Sequence, residues 1–247
     1  MRNIVMKIRF DGTAYHGFQS QDNAVAVANV VEKALAILTS EKITVTGCSR
    51  TDAGVHAEEF CLNFHTESAL TERNFLCGMN ANLPPDIAVF EVSEADNGFN
   101  ARFDTVSKEY KYLILNSPVR NPFYENRTLF YPRELDVKLF SDGCKDYIGT
   151  HDFKAFCSAG SSVKSTVRTV YSCSAEKKGD IIEFRVCADG FLYNMVRIMV
   201  GTLIDINEGK IAPGSIPLII STGDRSLAGR TAKGSGLYLS KVNYRKG

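Results

Sequence analysis

Hydrophobic and polar positions along the chain fall into two similar series of predicted elements. The first comprises strands near 3–10, 43–48, 58–65 and 86–93 and helices near 24–39 and 71–80. The second comprises strands near 104–116, 167–175, 180–188 and 236–243 and helices near 135–148 and 190–206. Strands are assigned where apolar residues alternate, and helices where they recur every three or four positions. Each series therefore runs strand–helix–strand–strand–helix–strand.

That order is typical of the ferredoxin-like (RRM-like) split βαβ unit, in which helices cover one face of an antiparallel sheet. We therefore predict an α+β protein with two such halves, residues 1–103 and 104–247, a mostly antiparallel sheet and a central cleft. The segment 149–166 contains the small residues Ser158–Ser162, and we expect it to form a mobile loop.

Composition points to an ordinary globular protein, since 44% of the 247 residues are hydrophobic and 23% are charged. The alternating residues 2–10 lack the apolar core of a signal peptide, and no apolar run reaches the length of a membrane span. The seven cysteines include no Cys-x-x-Cys pair, and the four histidines lack metal-ligand spacing. We expect a cytoplasmic protein without a metal or a membrane partner.

Charge is unevenly distributed along the chain. Residues 1–100 hold 7 Lys/Arg and 13 Asp/Glu, a balance of −6, whereas residues 101–247 hold 22 and 15, a balance of +7. From residue 209 onwards Asp224 is the one acidic residue, against seven basic ones: Lys210, Arg225, Arg230, Lys233, Lys241, Arg245 and Lys246. A polyanion-binding face on the second half would explain this asymmetry, and so would chance.

The run Arg50-Thr51-Asp52-Ala53-Gly54-Val55-His56-Ala57 lies between two strand-like segments. An Asp-Ala-Gly turn would present the Asp52 carboxylate at the rim of a sheet, with the Arg50 guanidinium two positions upstream. A carboxylate that a nearby arginine keeps ionised is able to act as a nucleophile. An ordinary surface hairpin has the same spacing, so this run alone does not decide between catalysis and a structural turn.

The helix near 190–206 holds one charged residue, Arg197, in the fourteen positions from Phe191 to Ile204. A helix that is apolar nearly all round is buried, and a buried guanidinium requires a carboxylate or phosphate partner. Asn194, Arg197 and Gly201 form a narrow polar stripe, with space at the glycine for another backbone to approach.

Two explanations account for this arginine. Asp52, in the other half, is the candidate partner that would make a functional site. The alternative is a local pair with Asp189 or Asp205, or a side chain that extends to solvent at a helix end. The central position of Arg197 in the helix favours the first explanation.

The strand segment Lys108-Glu109-Tyr110-Lys111-Tyr112 places two tyrosines on one face and Lys111 on the other. Aromatic rings beside lysines suit nucleic acid, because a ring stacks on a base while ammonium groups meet phosphates. Tyrosines on one face of a strand are also ordinary packing residues, so this segment is a weaker indication.

Taken together, these segments resemble the TruA-type tRNA pseudouridine synthases over nearly the whole chain. The resemblance rests on blocks that occur in the family's order: Phe10–Gln19, Arg50–Ala57, Asn80–Pro84, Phe99–Phe103, Lys108–Tyr112, His151–Phe153, Met195–Arg197 and Gly236–Leu239. The Arg-Thr-Asp-Ala-Gly-Val-His string is highly specific to this family.

This resemblance implies an isomerase that converts uridine to pseudouridine around nucleotides 38–40 of the tRNA anticodon stem-loop. It also implies a homodimer that uses no cofactor. The family's catalytic aspartate matches Asp52, its active-site tyrosine matches Tyr110, and the arginine that pairs with the aspartate matches Arg197. Arg50 matches the arginine that helps to displace the target base. With Arg50, we assign these residues to substrate and RNA binding: His56, Arg102, Lys108, Lys111, Arg168, Arg225 and Lys233.

The sequence departs from the family at three places. Phe18 stands where members often have tryptophan, Ala28 stands where a glutamine is frequent, and the chain after Leu239 is short. None of these departures affects the three catalytic positions, but they leave substrate breadth open.

Two other functions remain open at this stage. A catalytically silent RNA-binding or RNA-folding protein could use the same scaffold, although it would not need Asp52, Tyr110 and Arg197 together. A carboxylate-dependent glycosidase would require a second acid, for which Glu58 and Glu59 are the nearest candidates.

Overall fold

The computed structural model describes residues 1–20, 24–160 and 163–245. The first elements are β1 (Arg2–Phe10), α1 (Val27–Thr39), β2 (Thr46–Gly47), β3 (His56–Thr66), α2 (Glu72–Asn82) and β4 (Ile87–Ala95). They are followed by β5 (Thr105–Asn116), β6 (Leu129–Tyr131), α3 (Val137–Lys145), β7 (Gly149–Asp152), β8 (Val167–Lys178), β9 (Ile181–Ala188), α4 (Met195–Asn207), α5 (Ile216–Thr222) and β10 (Leu237–Tyr244). The chain forms two compact units: Met1–Val106 with the segment that starts at Tyr238, and Ser107–Leu237.

In the first unit, β1 lies between β4 and β3 and pairs with both in the antiparallel sense. The other edge of β3 pairs with β2 near Leu62 and, in parallel, with β10 at His56 and Ala57. Ile4, Met6, Ile8 and Phe10 lie on one face of β1 and are all buried, which explains their spacing in the sequence. Helix α1 ends at Thr39, and the left-handed conformation of the following Ser40 stops further helical turns.

Buried amides attach the end of this unit's β-sheet to the segment after β4. The Asn63 Nδ2 donates to Asn3 Oδ1 at 2.9 Å, and Asn63 Oδ1 accepts from the backbone of Ala101 at 2.9 Å. The Asn3 Nδ2 in turn donates to the carbonyl of Phe99 at 2.9 Å. Because buried polar groups are costly unless they are hydrogen-bonded, this network fixes the segment around 96–101 firmly.

In the second unit, the strands lie in the order β5–β9–β8–β7 and neighbours are antiparallel, while the short β6 pairs with β5 in parallel. Every residue of α4 except Arg197 and Asn207 is buried. Both units are thus mixed α and β with mostly antiparallel pairing, which confirms the predicted fold class.

Several predicted boundaries differ from the structure. The last strand groups with the first unit rather than with the second half, because β10 pairs with β3 and the Tyr244 hydroxyl donates to the Ala101 carbonyl at 2.7 Å. The strand predicted near 43–48 is reduced to Thr46–Gly47, and the helix predicted from 190 begins only at Met195.

The segment 149–166 is also more regular than expected. It contains β7 and a short 3-10 helix at Lys154–Phe156. Ser161 and Ser162, which belong to the predicted mobile loop, lie outside the described residues, as does Lys246 of the basic C-terminal group. Within the described ranges, no helix is long and apolar enough to cross a membrane.

Candidate active site

Asp52 begins a tight turn directly before β3. The Val55 amide donates to the Asp52 carbonyl at 3.2 Å, and Gly54 has a φ of 73°. A positive φ at the third residue of a turn favours glycine, since a side chain there would be strained. The turn therefore fixes the position from which the Asp52 side chain emerges.

The segment from Asp11 to Phe18 holds this turn from one side. The Gly54 amide donates to the Tyr15 carbonyl at 3.2 Å. A Cβ atom on Gly12 would lie 2.0 Å from the Val55 carbonyl oxygen, and a Cβ atom on Gly17 would lie 2.0 Å from that of Thr51. The two backbones are thus in direct contact at positions where only glycine fits.

Asp86, just before β4, anchors the same segment. The Tyr15 hydroxyl donates to Asp86 Oδ1 at 2.8 Å, and the Asp11 amide donates to the Asp86 carbonyl at 2.9 Å. Burial and the neighbouring Asp86 carboxylate raise the pKa of Tyr15 well above its ordinary value, so the hydroxyl keeps its proton and remains a donor.

His56 is buried at the first position of β3, with 2% of its surface exposed. Its Nδ1 accepts from the Gly12 amide at 3.0 Å and lies 3.2 Å from Asp11 Oδ1. The ring also stacks on Tyr238 at 4.5 Å. This environment favours a structural role for His56 over the RNA contact predicted from sequence.

Arg50 and Arg102 are both exposed in the first unit. Arg102 lies in a turn in which Asn100 Oδ1 accepts from the Arg102 and Phe103 amides at 2.9 and 3.2 Å. Its guanidinium carbon is 5.9 Å from the Phe103 ring centroid. Both arginines are thus accessible cations at the surface. Glu59, considered above as a second acid, accepts from the Val242 amide at 3.4 Å, which is consistent with a structural role.

In the second unit, β5 carries Tyr110 and Tyr112 on the same face, as predicted. Tyr110 is 6% exposed and meets the Phe191 ring edge-to-face at 5.0 Å. Tyr112 is fully buried, and its hydroxyl donates to the Lys233 carbonyl at 2.7 Å. Lys108 and Lys111, also on β5, are half-buried.

Arg197 lies in the first turn of α4 and is half-buried, so the predicted central and buried position was wrong, because the helix begins only at Met195. Protein groups hold its guanidinium. Its Nε donates to the Ala232 carbonyl at 2.7 Å and its Nη1 donates to Asn194 Oδ1 at 2.6 Å. The Ala232 amide donates back to the Arg197 carbonyl at 3.1 Å. A Cβ atom on Gly201 would lie 1.7 Å from the Arg230 carbonyl oxygen. The structure therefore confirms that another backbone approaches α4 at Gly201.

Acidic residues at the end of α4 hold the loop that supplies Ala232. Arg230 Nη2 lies 2.6 Å from both Asp205 Oδ1 and Glu208 Oε2, and the Arg230 amide donates to Asp205 Oδ2 at 2.9 Å. Lys210 Nζ adds a contact to Glu208 Oε2 at 2.5 Å. Asp205, a local alternative partner for Arg197, thus engages Arg230 through both of its oxygens.

This cluster predicts a pH dependence of stability. Hydrogen bonds from Arg230, Lys210 and Tyr131 hold the pKa of Glu208 at about 2, below its ordinary value of 4.5. A carboxyl whose pKa is lowered by folding stabilises the protein above its unfolded pKa and loses that contribution as pH falls towards its folded pKa. We expect Glu208→Gln to remove stability on the order of 2 kcal/mol at pH 6 and far less at pH 2.5, as measured by urea unfolding.

Asp142 provides the control for this experiment. Its pKa is also lowered to about 2, by Lys138 and Lys145, but these partners lie at the exposed surface. Exposed ion pairs contribute little to stability, so Asp142→Asn should change unfolding much less at either pH. Equal effects of the two substitutions at pH 6 would contradict a special role for the Glu208 cluster.

Three further predicted RNA contacts lie in the second unit, in different settings. Arg168 is half-buried, and its Nη1 donates to the carbonyls of Ser165 and Val167 at 3.0 and 2.6 Å. Arg225 stabilises its own loop, because its Nη1 donates to the carbonyls of Ala228 and Gly229 at 3.2 and 3.0 Å. The Lys233 side chain is exposed. Arg225 therefore has a structural task that the sequence did not indicate.

Comparisons with known proteins bear on these residues. A family model described as tRNA pseudouridine synthase matches residues 6–104 and 144–245. A protein named tRNA pseudouridine synthase A from Acetivibrio thermocellus is 45% identical over 244 residues, which cover 99% of this chain and 100% of that protein. This chain belongs to the tRNA pseudouridine synthase family.

Other family members match equally completely. Proteins of the same name from Caldicellulosiruptor bescii and Clostridium acetobutylicum are each 42% identical over 99% of this chain and 100% of their own length. Among solved structures, a Cbf5–Nop10–Gar1 complex aligns with 96% of this chain and 48% of that chain at 13% identity, with a TM-score of 0.37 that is too low to support a conclusion. The resemblance stated from sequence is therefore confirmed by the relatives.

Sequence reasoning within this family missed three groups of residues around the candidate site. Gly12 and Gly17 stand out in the sequence only as part of a family block, yet both are in contact with the Asp52 turn. In the sequence, Asn194 is notable for its spacing from Arg197 and Gly201, but the sequence does not indicate its hydrogen bond to Arg197. Asp86 carries no local pattern that could have identified it, because its partner Tyr15 is 71 residues away in the chain.

Proposed function

We propose that this protein isomerises uridine to pseudouridine in the anticodon stem-loop of tRNA, with Asp52 as the nucleophile. Its membership of the tRNA pseudouridine synthase family supports the reaction and the substrate. The observation that carries the assignment of Asp52 is its turn, which two glycines and the Tyr15 carbonyl hold in one conformation. A nucleophile requires such a fixed starting position.

The reaction is an isomerisation, so no atom is gained or lost overall. The C1′–N1 bond breaks, the uracil rotates while it is held, and a C5–C1′ bond forms. The proton on C5 then leaves, and N1 gains one. Asp52 adds covalently either to uracil C6 or to ribose C1′ and is released at the end, so that the carboxylate is regenerated.

Arg197 and Tyr110 complete the proposed catalytic group. We assign Arg197 as the cation that pairs with the Asp52 carboxylate, and Tyr110 as the ring against which the base stacks and the group that removes the C5 proton. Moving the target base out of the helix stack costs a few kcal/mol. Stacking on an aromatic ring returns roughly 1–3 kcal/mol, so Tyr110 and phosphate contacts together can offset that cost.

The proposed RNA contacts are ranked by accessibility. The exposed cations Arg50, Arg102 and Lys233 are suited to phosphate contacts, followed by the half-buried Lys108, Lys111 and Arg168. His56 and Arg225 are removed from this group because of their structural tasks. We further propose that the protein acts as a homodimer in the cytoplasm, as the family resemblance implies.

Incubation with an unmodified tRNA transcript, followed by mapping of pseudouridine, tests this function. The expected product is pseudouridine at one or more uridines of the anticodon stem-loop. A protein that binds the transcript but forms no pseudouridine would instead be a silent RNA-binding or RNA-folding protein. Pseudouridine elsewhere in the tRNA would retain the reaction and overturn the proposed substrate site.

Substitution of Arg225 and of Lys233 distinguishes a cation that stabilises the fold from a cation that binds RNA. We expect Arg225→Ala to lower the free energy of unfolding by about 1–3 kcal/mol, because two carbonyl oxygens lose their charged donor. Lys233→Ala should leave stability unchanged, weaken tRNA binding and reduce the slope of log Kd against log salt by about 1. Urea unfolding and binding titrations at several salt concentrations measure both effects. An unchanged salt slope in Lys233→Ala would remove Lys233 from the interface.

A further inference from the structure

Asn194 has a backbone conformation that is unusual for a residue other than glycine. It lies directly before α4 with φ 61° and ψ 9°, in the left-handed region. Asparagine tolerates this region better than most residues, but it is still strained there relative to glycine. An asparagine at this position of a helix usually accepts a hydrogen bond from an amide in the first turn. In α4 its side chain makes no such capping bond.

The Asn194 side chain is used in another way. Its Oδ1 accepts from Arg197 Nη1 at 2.6 Å, and its Nδ2 donates to Ser158 Oγ at 2.9 Å. The Ser158 amide donates to the Tyr193 carbonyl at 3.1 Å, which holds the serine beside the start of α4. The amide group therefore connects Arg197 to a fixed point outside the helix.

We propose that Asn194 is a positioning residue for the reaction, and that it sets the orientation of the Arg197 guanidinium. This inference rests on the proposed function, in which Arg197 serves Asp52. A planar guanidinium is oriented when two of its donors are fixed, and here Ala232 fixes Nε while Asn194 fixes Nη1.

The chemistry of the amide suits this task. A neutral acceptor orients the guanidinium without placing a negative charge beside it, which suits the role towards Asp52 that is proposed above. A carboxylate at the same position would form an ion pair with Arg197 and compete with Asp52. Backbone strain and the missing helix cap are then costs that persist because the side chain has a functional task.

Substitution by glycine separates the positioning role from a purely structural one. Asn194→Gly relieves the left-handed strain and removes the side chain, so we expect the melting temperature to stay the same or rise. We expect kcat for pseudouridine formation to fall between about tenfold and a hundredfold, with KM for tRNA unchanged, because misorientation affects the chemical step. Asn194→Asp, which has the same shape, should lower kcat at least as much.

Ser40 provides the matched control. It also has a φ of 61°, and it ends α1 at an exposed position. Ser40→Gly should therefore change the melting temperature in the same direction as Asn194→Gly and leave kcat within about twofold of wild type.

A double substitution tests whether Asn194 acts through Arg197. In an Arg197→Lys background, Asn194→Gly should lower single-turnover rates much less than it does in wild type.

The outcomes are distinct. A wild-type kcat in Asn194→Gly, or a loss of kcat that accompanies an equal loss of folded protein, would overturn the positioning role. An undiminished effect in the Arg197→Lys background would also overturn it, since Asn194 would then act by another route. An inactive wild-type protein would contradict the proposed function itself, so the two failures are separable.

Discussion

Asp52→Asn is expected to lower the rate of pseudouridine formation by at least about 10⁴-fold, because a neutral amide cannot act as the nucleophile. The fold should survive, since the hydrogen bond that closes the turn runs from the Val55 amide to the Asp52 carbonyl, which the substitution keeps. Binding of tRNA should persist as well, because asparagine has nearly the same shape. Single-turnover assays with unmodified transcript, together with filter binding and thermal melting, measure the three quantities.

Asp96→Asn is the matched control, because Asp96 is an exposed aspartate in the same unit. It should leave the rate, the binding and the melting temperature unchanged. If Asp52→Asn retained more than about a hundredth of the wild-type rate while binding tRNA normally, Asp52 would not be the nucleophile. Loss of rate and melting temperature together would instead show that the side chain is structural.

Gly17→Ala should produce the second-largest effect, although Gly17 belongs to no proposed catalytic group. A methyl group there would lie 2.0 Å from the Thr51 carbonyl oxygen, and the φ of 86° is unfavourable for alanine. One backbone must move by more than about 1 Å, which displaces the Asp52 turn and lowers the rate by more than about 10²-fold. Left-handed strain and overpacking together should cost about 3 kcal/mol of stability.

Two other glycines separate the contributions to this effect. Gly54 has a φ of 73°, but a Cβ atom added to it would have no neighbour within 4 Å, so Gly54→Ala isolates the backbone strain at about 1–2 kcal/mol. Gly98 has neither a positive φ nor a close neighbour, and Gly98→Ala should be nearly neutral. A Gly17→Ala variant as stable as Gly98→Ala would mean that the two backbones are not in contact.

The elements with strong periodicity were predictable because local pattern and tertiary burial agree in them. In β1 and β9 the buried positions alternate along most of the strand, and both strands are paired on two sides. The sequence predicts the helix at 190 too early because its apolar pattern extends upstream, whereas the left-handed Asn194 prevents helix before Met195. β6 and β7, with three and four residues, carry too few positions for any periodicity to be recognised.

The residues of the candidate site also fall into two groups, those that the sequence could identify and those that it could not. Asp52 and Arg197 could be selected because each is chemically unusual in its own segment. Gly12, Gly17 and Asp86 could not, because their importance arises from contacts with residues far away in the chain. Arg225 is assigned to RNA from charge alone, and a composition count cannot reveal that its donors bind carbonyls of its own loop.

The contacts of Arg197 determine when the conformational entropy of its side chain is lost. A free arginine side chain has about 2 kcal/mol of rotamer entropy to lose when it is fixed. Ala232 and Asn194 belong to the protein, so this ordering accompanies folding and is not repeated in each catalytic cycle. In the proposed function the guanidinium is thus preorganised, and the binding energy of tRNA remains available for extracting the target base from its stack.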